Sequence, residues 1–355
     1  MAFGMFAKKI INWYAENGRS LPWRETDNPY YIWLSEVIMQ QTRIEQGMDY
    51  YERFVREYPT VAALAAASEQ QVLKSWQGLG YYSRARNLNA AARHIAYELG
   101  GCFPDTYEGI RALKGVGRYT AAAIASFAFR LPYPVIDGNV YRFVSRLYGI
   151  YTPVGTDRSY REFEGVLGNL IDRERPDLFN QAMMDFGSLC CKPSGSGCTG
   201  CIFAEECVAY GKGVVEQLPV KLSPQRTTVR HFYYFDVRWK EPCDTMLVHL
   251  REERDIWQGL YELPLHETAE AVPSQLLPTW AMGLLEERFG KEPSHISIGR
   301  CITHRLTHQT INARFILANF DCRPPKIPKS LQMTSPQAIN NLPVSRLIDR
   351  YLSEM

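Results

Sequence analysis

The sequence predicts two domains, an all-α domain followed by a smaller α+β domain. Three observations support this fold class. The 355 residues exceed the length of most single domains. Apolar residues recur at helical spacing up to about residue 210, and runs of alternating β-formers begin near residue 231. We therefore expect domains at residues 1–210 and 231–355. A linker with little periodicity, which contains Pro219 and Pro224, is expected at residues 211–230.

The charge balance is close to neutral. Lysine and arginine number 40, aspartate and glutamate number 38, and the formal net charge is +2. Composition alone therefore does not indicate a nucleic-acid-binding protein, and an electropositive surface must come from local clusters, with Arg118, Arg142 and Arg146 among the candidates. The N-terminal stretch lacks a signal-peptide pattern, and no apolar run reaches bilayer-spanning length. We expect a cytoplasmic monomer with reduced thiols and no membrane partner.

The first predicted site residue is Glu36. The sequence Asp27-Asn28-Pro29 predicts the start of a helix over residues 30–42. Glu36 lies on that helix, and its helical neighbours, among them Trp33 and Met39, carry no charge. A carboxyl group in such surroundings is desolvated, which raises its pKa and keeps a proton available near neutral pH. The alternative, a solvated glutamate on an amphipathic helix, stays open from this segment alone.

Two glycine turns interrupt the helices that follow. The first contains Gly80 and Tyr81 and suits close approach of backbone and aromatic rings to a nucleic acid, although any tight interhelical turn needs the same glycines. The second contains Gly115, Gly117 and Arg118 and joins predicted helices over residues 106–113 and 121–129. Its form is that of a helix-hairpin-helix, which grips a phosphate backbone with amides and charge.

A second carboxylate, Asp137, stands at the predicted start of a helix that runs to about residue 147. As an N-cap it contributes on the order of 1 kcal/mol. The same helix amides favour its charged form. Glu36 and Asp137 are therefore predicted to differ in pKa, one suited to act as an acid and the other as an anion.

Four cysteines close the helical domain after predicted helices over residues 160–171 and 176–189. Cys191, Cys198, Cys201 and Cys207 are separated by six, two and five residues in a loop rich in glycine. Such clustering indicates soft-metal ligation. Zinc and an iron-sulfur cluster are both compatible with four thiolates, and the uneven spacing favours the cluster. Cys190 would give a first spacing of seven and is left out of the predicted ligand set.

The α+β domain is predicted from strands over residues 231–239, 245–251 and 310–320, with helices over residues 280–289 and 344–352.

Together these motifs resemble the adenine DNA glycosylases of the MutY family, within the helix-hairpin-helix superfamily. The shared motifs stand in family order and cover both domains. They are EVIMQQT from Glu36, GLGYYSRARN from Gly78, GVGRYTA from Gly115, DGNV from Asp137, and the four cysteines.

The resemblance implies a [4Fe-4S] cluster on Cys191, Cys198, Cys201 and Cys207. It also implies base excision repair of double-stranded DNA in which adenine is mispaired with 8-oxoguanine or guanine. The flipped adenine would be protonated by Glu36, and Asp137 would stabilise the sugar cation. Tyr119 and Asn139 would orient these groups. In relatives that cleave the strand, a lysine matches Tyr119. Because a phenol forms no Schiff base, a monofunctional enzyme is expected.

The resemblance further implies which residues contact DNA. Gln41 and Tyr81 would fill the base stack, and Arg24 would lie near the pocket or the partner base. The remaining expected DNA contacts are Gln40, Gly80, Gly115, Gly117 and Arg118.

The second domain resembles a Nudix fold but lacks the glutamate-rich helix of Nudix hydrolases, so nucleotide hydrolysis is not expected. The family pattern Phe-Ser-His for lesion recognition is matched here by Leu306, Thr307 and His308. Rival interpretations are a non-catalytic lesion binder, a bifunctional glycosylase for oxidised pyrimidines, and a Nudix hydrolase with a helical appendage. The two carboxylates disfavour the lesion binder. Tyr119 and the second domain disfavour the bifunctional glycosylase, and the missing metal-binding helix disfavours the Nudix hydrolase.

Overall fold

The computed structural model describes residues 3–223, 227–239 and 244–354. Its helices are α1 (Phe3–Asn17), α2 (Pro29–Ile38), α3 (Ile44–Glu57), α4 (Val61–Ala66), α5 (Glu69–Ser75), α6 (Ser83–Tyr97), α7 (Tyr107–Ala112), α8 (Arg118–Phe129), α9 (Gly138–Tyr148), α10 (Asp157–Leu170), α11 (Pro176–Leu189), α12 (Val208–Gly211), α13 (Leu277–Phe289) and α14 (Arg346–Ser353). Short 3-10 helices lie at Pro22–Arg24, Cys198–Gly200, Val215–Gln217 and Ala338–Asn341.

The strands all lie in the C-terminal part of the chain. They are β1 (Thr228–Trp239), β2 (Thr245–Leu250), β3 (Tyr261–Glu262), β4 (Leu265–Thr268), β5 (His295–Ile298), β6 (Ile302–Arg305), β7 (Gln309–Phe320) and β8 (Leu331–Thr334). An all-α region followed by an α+β region is the fold class that the sequence predicts.

Two compact units make up the described chain. The first contains the residues up to 66 and residues 90–223. The second contains residues 67–89 together with the described residues after 223. Helix α5 and the first half of α6 therefore belong with the sheet, which local sequence patterns do not indicate. The predicted linker at 211–230 includes Leu218, which is 1% exposed, and residues 228–230, which already belong to β1. Residues 224–226 of that linker lie outside the described residues.

The first unit is a bundle of helices around an apolar core. Phe6 of α1, Phe143 of α9, Phe179 and Phe186 of α11, and Phe203 pack together at its centre. Their rings lie between 4.6 and 6.4 Å apart, centroid to centroid, for the pairs that touch. This packing fixes α9 and α11 against each other, and both helices carry residues of the site described below.

The second unit is built on a mixed sheet. Its strand order is β3-β2-β1-β7-β5, with β4 on β1, β6 on β7 and β8 on β2. The two long central strands, β1 and β7, are parallel and pair from Thr228 with Gln309 to Trp239 with Phe320. Side chains of β1 alternate between two buried faces, as a strand period of two requires. One face packs on α13 and the other on α14.

Helix α2 is shorter than the sequence indicates. It was predicted over residues 30–42, but it ends at Ile38, and a turn follows to Thr42. The physical reason is the backbone of Gln41, whose φ of 57° is left-handed and cannot continue an α-helix.

Candidate active site

Glu36 lies in the last turn of α2, a helix that is buried over most of its length. The helix starts where predicted, because the side chain of Asn28 accepts a hydrogen bond from the Tyr30 amide at 3.0 Å and Pro29 occupies the first turn. Glu36 is itself 8% exposed. The carboxyl group is therefore largely removed from water, as its uncharged helical neighbours indicate.

The protonated form of Glu36 is stabilised by this burial. Burial raises its pKa to about 7, against a hydrogen bond with Tyr119 and the charge of Arg24, which lower it. Nearby Asp137 adds a smaller upward shift. The pKa of the Tyr119 hydroxyl is raised well above its usual range by burial and by Glu36. At neutral pH the tyrosine is therefore a neutral phenol, and the pKa of the glutamate lies close to the ambient pH.

Asp137 is the N-cap of α9, as predicted. Its Oδ1 accepts hydrogen bonds from the backbone amides of Asn139 at 2.9 Å and Val140 at 2.7 Å, and its Oδ2 accepts one from Asn139 Nδ2 at 2.7 Å. The sequence predicts a lowered pKa from the cap amides. Burial, however, raises the pKa of Asp137 and outweighs these hydrogen bonds, so the net shift is upward.

An ion pair that the sequence does not reveal lies beside these carboxyls. Asp185 on α11 has a fully buried side chain and binds Arg24 through two hydrogen bonds of 2.8 Å. Arg19 also binds Asp185 with its backbone amide at 2.9 Å and with its guanidinium. Burial would raise the pKa of Asp185, but the hydrogen bonds from Arg24 and Arg19 lower it to about 2. The sequence contained one indication of this ion pair. Asp185 lies within the mainly apolar segment 176–189, and a charge buried there requires a partner.

The two carboxyls, Glu36 and Asp137, and the arginines that bind Asp185 line one cavity of about 300 Å³ in the first unit. Glu36, Tyr119 and Asp137 are among its polar lining residues. Its other lining residues are Arg19, Leu21, Trp23, Arg24, Met39, Gln40, Gln41, Ile44, Ile136 and Met184. A cavity that combines apolar side chains with convergent polar groups is typical of a small-molecule site. Two carboxyls in such a cavity can protonate one part of a ligand and stabilise positive charge on another.

Predicted DNA-contact residues surround this cavity. Gln40 donates a hydrogen bond from Nε2 to Thr120 Oγ1 at 3.1 Å, which ties the end of α2 to α8. Gln41 is exposed and has the left-handed backbone described above. Arg24, predicted to lie near the pocket, is one of its lining residues.

The helix-hairpin-helix turn joins α7 to α8. Gly115 has a φ of 80°, which favours glycine, and Gly117 is the N-cap of α8. The partly exposed Arg118 forms an ion pair with Asp157, Nη1 to Oδ1 at 2.7 Å, and stacks over Tyr160. The turn thus has exposed helix amides and a nearby guanidinium, which is the arrangement that binds phosphate.

The four predicted cysteine ligands line a second cavity of about 270 Å³, also in the first unit. Among the described residues, no three His, Cys, Asp or Glu side chains are close enough to hold a single metal ion. Four thiolates that line one cavity form a ligand set that either an iron-sulfur cluster or a zinc ion can use. Cys190 lines the same cavity.

Arg146 of α9 binds this cysteine loop, although the sequence suggested a charge on a solvated helix face. It is 3% exposed. Its guanidinium contacts Cys191 Sγ at 3.4 Å and donates to the carbonyl oxygens of Lys192 at 2.7 Å, Pro193 at 3.2 Å and Leu218 at 3.0 Å. The loop is therefore held by a buried cation that also lies beside a predicted ligand.

Arg142 links the cysteine loop to the first cavity. It donates to the carbonyl oxygen of Cys191 at 2.7 Å, to that of Gly187 at 2.6 Å and to Asn139 Oδ1 at 2.8 Å. Asn139 in turn donates to Asp137. A side chain at Gly187 would meet the backbone of Asn139 at 2.7 Å, so the glycine permits this close approach of α9 and α11.

In the second unit, a cavity of about 400 Å³ is lined by the predicted lesion-recognition residues Leu306, Thr307 and His308, and by Gly80 and Tyr81. The hydroxyl groups of Tyr81 and Thr307 are hydrogen-bonded. Leu306 packs on the apolar core beneath the sheet.

Comparison with known proteins accounts for both units. Residues 34–167 match the model described as "HhH-GPD superfamily base excision DNA repair protein", and residues 237–354 match the NUDIX domain model. The adenine DNA glycosylase of Buchnera aphidicola subsp. Acyrthosiphon pisum is 32% identical over 267 residues, 75% of each chain. That of the subspecies Baizongia pistaciae is 30% identical over 89% of this chain and 87% of its own.

A solved thermostable thymine-DNA glycosylase is similar with a TM-score of 0.55 and 26% identity, over 59% of this chain and 96% of its own. No helix among the described residues is both long and apolar enough to cross a membrane. The matches to these two enzymes, over 75% and 87% of their own lengths, show that the chain belongs to the adenine DNA glycosylase family of base excision repair enzymes.

Proposed function

We propose that this enzyme excises adenine mispaired with 8-oxoguanine or guanine in double-stranded DNA, by hydrolysing the N-glycosidic bond and leaving an abasic site. One observation carries the proposal. A buried carboxyl, Glu36, with a pKa raised to about 7 by burial, shares a base-sized cavity with a second carboxyl, Asp137. A weak leaving group and a cationic sugar need such a pair.

In the proposed reaction the adenine is flipped into the cavity, because a base inside the duplex is out of reach. Protonated Glu36 donates its proton to a ring nitrogen of adenine. The bond between the sugar carbon and the base nitrogen then breaks, and its electron pair leaves with the base. The sugar becomes an oxocarbenium-like cation, which the Asp137 carboxylate stabilises. Water adds to the cation and returns a proton to Glu36, so the enzyme is regenerated.

The supporting contacts have distinct roles. Tyr119 would orient Glu36 through its hydrogen bond. Asn139 would hold Asp137 through its amide at 2.7 Å. The hydrogen bonds from the α9 amides favour the ionised form of Asp137 and thus counteract its burial. Because Tyr119 supplies no amine, no covalent imine with the sugar forms, and the strand stays intact.

DNA would be held without sequence readout. Amides near Gly115 and Gly117, with Arg118, would bind the backbone, and Gln40 and Arg24 would shape the pocket wall. Gln41 and Tyr81 would fill the base stack. Both have left-handed backbones, φ 57° and 47°, and such strain is often found at functional sites. In the second unit, Thr307 and His308 would contact the 8-oxoguanine edge, with Leu306 supporting the loop from the core.

We further propose that Cys191, Cys198, Cys201 and Cys207 bind a [4Fe-4S] cluster. The uneven spacing of the four cysteines and their position around one cavity support the cluster. When bound, the cluster would supply four bonds to sulfur that fix the loop. Arg146 would then donate a hydrogen bond to a ligand sulfur. The cytoplasmic location and the monomeric state expected from the sequence stay predictions.

The test uses duplexes with adenine opposite 8-oxoguanine, adenine opposite guanine, and thymine glycol. We expect free adenine, an intact strand that breaks only with alkali, and no borohydride-trapped complex. Excision of thymine glycol with strand cleavage would instead support a bifunctional enzyme. Binding without excision of any base would support a lesion-binding protein.

A further inference from the structure

The turn from Gly78 to Tyr82, which carries Tyr81, has an unusual backbone. The φ angles of Gly78, Gly80 and Tyr81 are 100°, 73° and 47°, all in the left-handed region. Two of these residues are glycines, which adopt it readily, but Tyr81 is not. Backbone of this kind persists only where the surrounding structure holds it in place. The contacts on either side of the turn are therefore informative.

Gln77, directly before the turn, is hydrogen-bonded to the C-terminal part of the second unit. Its Nε2 donates to Asp349 Oδ1 on α14 at 2.9 Å, and its Oε1 accepts from the Val344 amide at 3.3 Å. Both ends of the amide are thus used. Because the nitrogen of the amide must donate and its oxygen must accept, only one orientation of the Gln77 side chain forms both hydrogen bonds. The two bonds therefore fix the chain where it enters the turn.

Lys74, one helical turn earlier, strengthens the same attachment. Its Nζ donates to the carbonyl oxygens of Asn340 at 2.7 Å and Leu342 at 3.2 Å, and to Gln77 Oε1 at 3.1 Å. These carbonyls lie just before α14, at the end of a short 3-10 helix. The ammonium group therefore connects α5 to the chain segment that Gln77 also contacts.

The chain leaving the turn is held by different partners. Tyr82 donates from its hydroxyl to the Val344 carbonyl oxygen at 3.3 Å, and Arg86 binds the carbonyl oxygen and the side chain of Gln258. At the tip, Tyr81 and Thr307 share a hydroxyl hydrogen bond. The turn is thus fixed before, at and after Tyr81 by residues of the unit that contains the proposed lesion loop.

We propose that Gln77, Lys74 and Arg86 are positioning residues, which hold Tyr81 beside Thr307 so that the ring enters the duplex next to the lesion. The inference rests on the proposed role of Tyr81 in the base stack. It adds that this ring is presented by the sheet-containing unit, although residues 67–89 lie within the helical part of the sequence. Tyr81 and the lesion loop would then approach DNA as one preformed surface, without an ordering cost at binding.

The first experiment concerns the free protein and needs no assumption about activity. Hydrogen exchange of the amides at residues 78–82 is measured in the wild type, in Gln77→Ala, and in Gln275→Ala as a matched control on an exposed glutamine of the same unit. We expect faster exchange at the turn in Gln77→Ala only. Unchanged exchange there in folded Gln77→Ala would overturn the positioning role.

The second experiment measures the Kd for a duplex with 8-oxoguanine opposite a non-cleavable adenosine analogue. Base–aromatic stacking predicts that Tyr81→Ala raises the Kd about tenfold or more. If Gln77 acts through Tyr81, Gln77→Ala also raises the Kd, and the double variant is no weaker than Tyr81→Ala alone. Additive effects would overturn the proposal. A normal Kd for Tyr81→Ala would instead count against its proposed stacking role, while the exchange result would still report on Gln77.

Discussion

Asp185 binds Arg24 through both carboxylate oxygens, with nitrogen–oxygen distances of 2.8 Å, at the wall of the cavity that contains Glu36. The two residues are 161 positions apart. Arg24 lowers the pKa of Glu36, and Asp185 offsets the charge of Arg24. The pair therefore connects the packing of α11 to the protonation of the proposed acid.

Neutralising Asp185 is expected to affect stability and chemistry together. Because Asp185→Asn leaves buried Arg24 without its counterion, the free energy of unfolding should fall by about 3–5 kcal/mol. The uncompensated guanidinium should also lower the pKa of Glu36, so the loss of activity with rising pH begins at lower pH. Denaturant unfolding and a pH–rate profile measure both effects. Asp177 on the same helix forms an ion pair with the more exposed Arg175. Asp177→Asn is therefore the control and should lower the free energy of unfolding by less than about 1 kcal/mol. An equal loss of unfolding free energy in the two variants would contradict a special role for Asp185.

The pH dependence of excision should report Glu36. Its pKa is raised to about 7, and the proposed mechanism needs the protonated form. The single-turnover rate constant should therefore fall about tenfold per pH unit well above that pKa.

Burial also raises the pKa of Asp137, so activity should be lost on the acid side at a pH above the pKa of an ordinary aspartate. Glu36→Gln and Asp137→Asn should each abolish normal excision. A rate constant independent of pH between 6 and 9 would exclude Glu36 as the acid.

The same carboxyl should make the fold less stable as pH rises. The pKa of Glu36 is raised from 4.5 to about 7, so the folded state binds a proton that the unfolded state has released between these values. Its contribution is present at low pH and is lost as pH rises through 7. The unfolding free energy should decline by about 1 kcal/mol per pH unit from 5.5 to 6.5. This decline should disappear in Glu36→Gln and remain in Glu16→Gln, an exposed control. Identical slopes in all three proteins would contradict the burial of the charge.

The two adjacent cysteines provide a test of the ligand set. Cys191 contacts Arg146 through its sulfur and Arg142 through its carbonyl oxygen. Cys191→Ser should therefore lose the iron-sulfur absorption and most of the iron and sulfide after anaerobic purification, whereas Cys190→Ser should keep them. The reverse outcome would exchange the two assignments, and full zinc occupancy in the wild type would exclude the cluster.

Arg118 allows a test of the phosphate-binding turn. If it neutralises one phosphate, Arg118→Ala should weaken duplex binding irrespective of sequence and reduce the slope of log K against log salt by about one. Asp157→Asn removes its ion-pair partner and should strengthen binding. The exposed Arg173→Ala is the charge-matched control, with no expected change in slope. A normal slope in Arg118→Ala would remove this residue from the interface.

Several features of the site follow from local sequence. The uncharged helical neighbours of Glu36 are compatible with its burial, and Asp137 caps α9 because it precedes the first helical residue. The hairpin with Gly115 and Gly117 is likewise local, since its glycines and the helices on either side are adjacent in the chain. Helix caps, periodicity and turn residues act over a few positions, so the sequence contains what is needed to predict them.

The direction of the net pKa shift at Asp137 was not predictable from local sequence. Its cap hydrogen bonds are local and lower the pKa, but the burial that outweighs them depends on how the remaining elements pack around it. The end of α2 was not predictable either. The helix ends at Ile38, and Gln41 in the following turn has a left-handed backbone that the local pattern does not indicate.

The sequence by itself determined the fold class, a helical region followed by an α+β region, and the family to which the chain belongs, and it supplied the side chains that we propose as reactive. Only the tertiary structure decided which distant residues meet: Asp185 with Arg24, Arg146 with the loop of Cys191, and Gln77 with Asp349. The physical reason is that a buried charge or amide must find its partner wherever packing brings one. That choice depends on contacts between elements far apart in the chain, whose spacing no local pattern encodes.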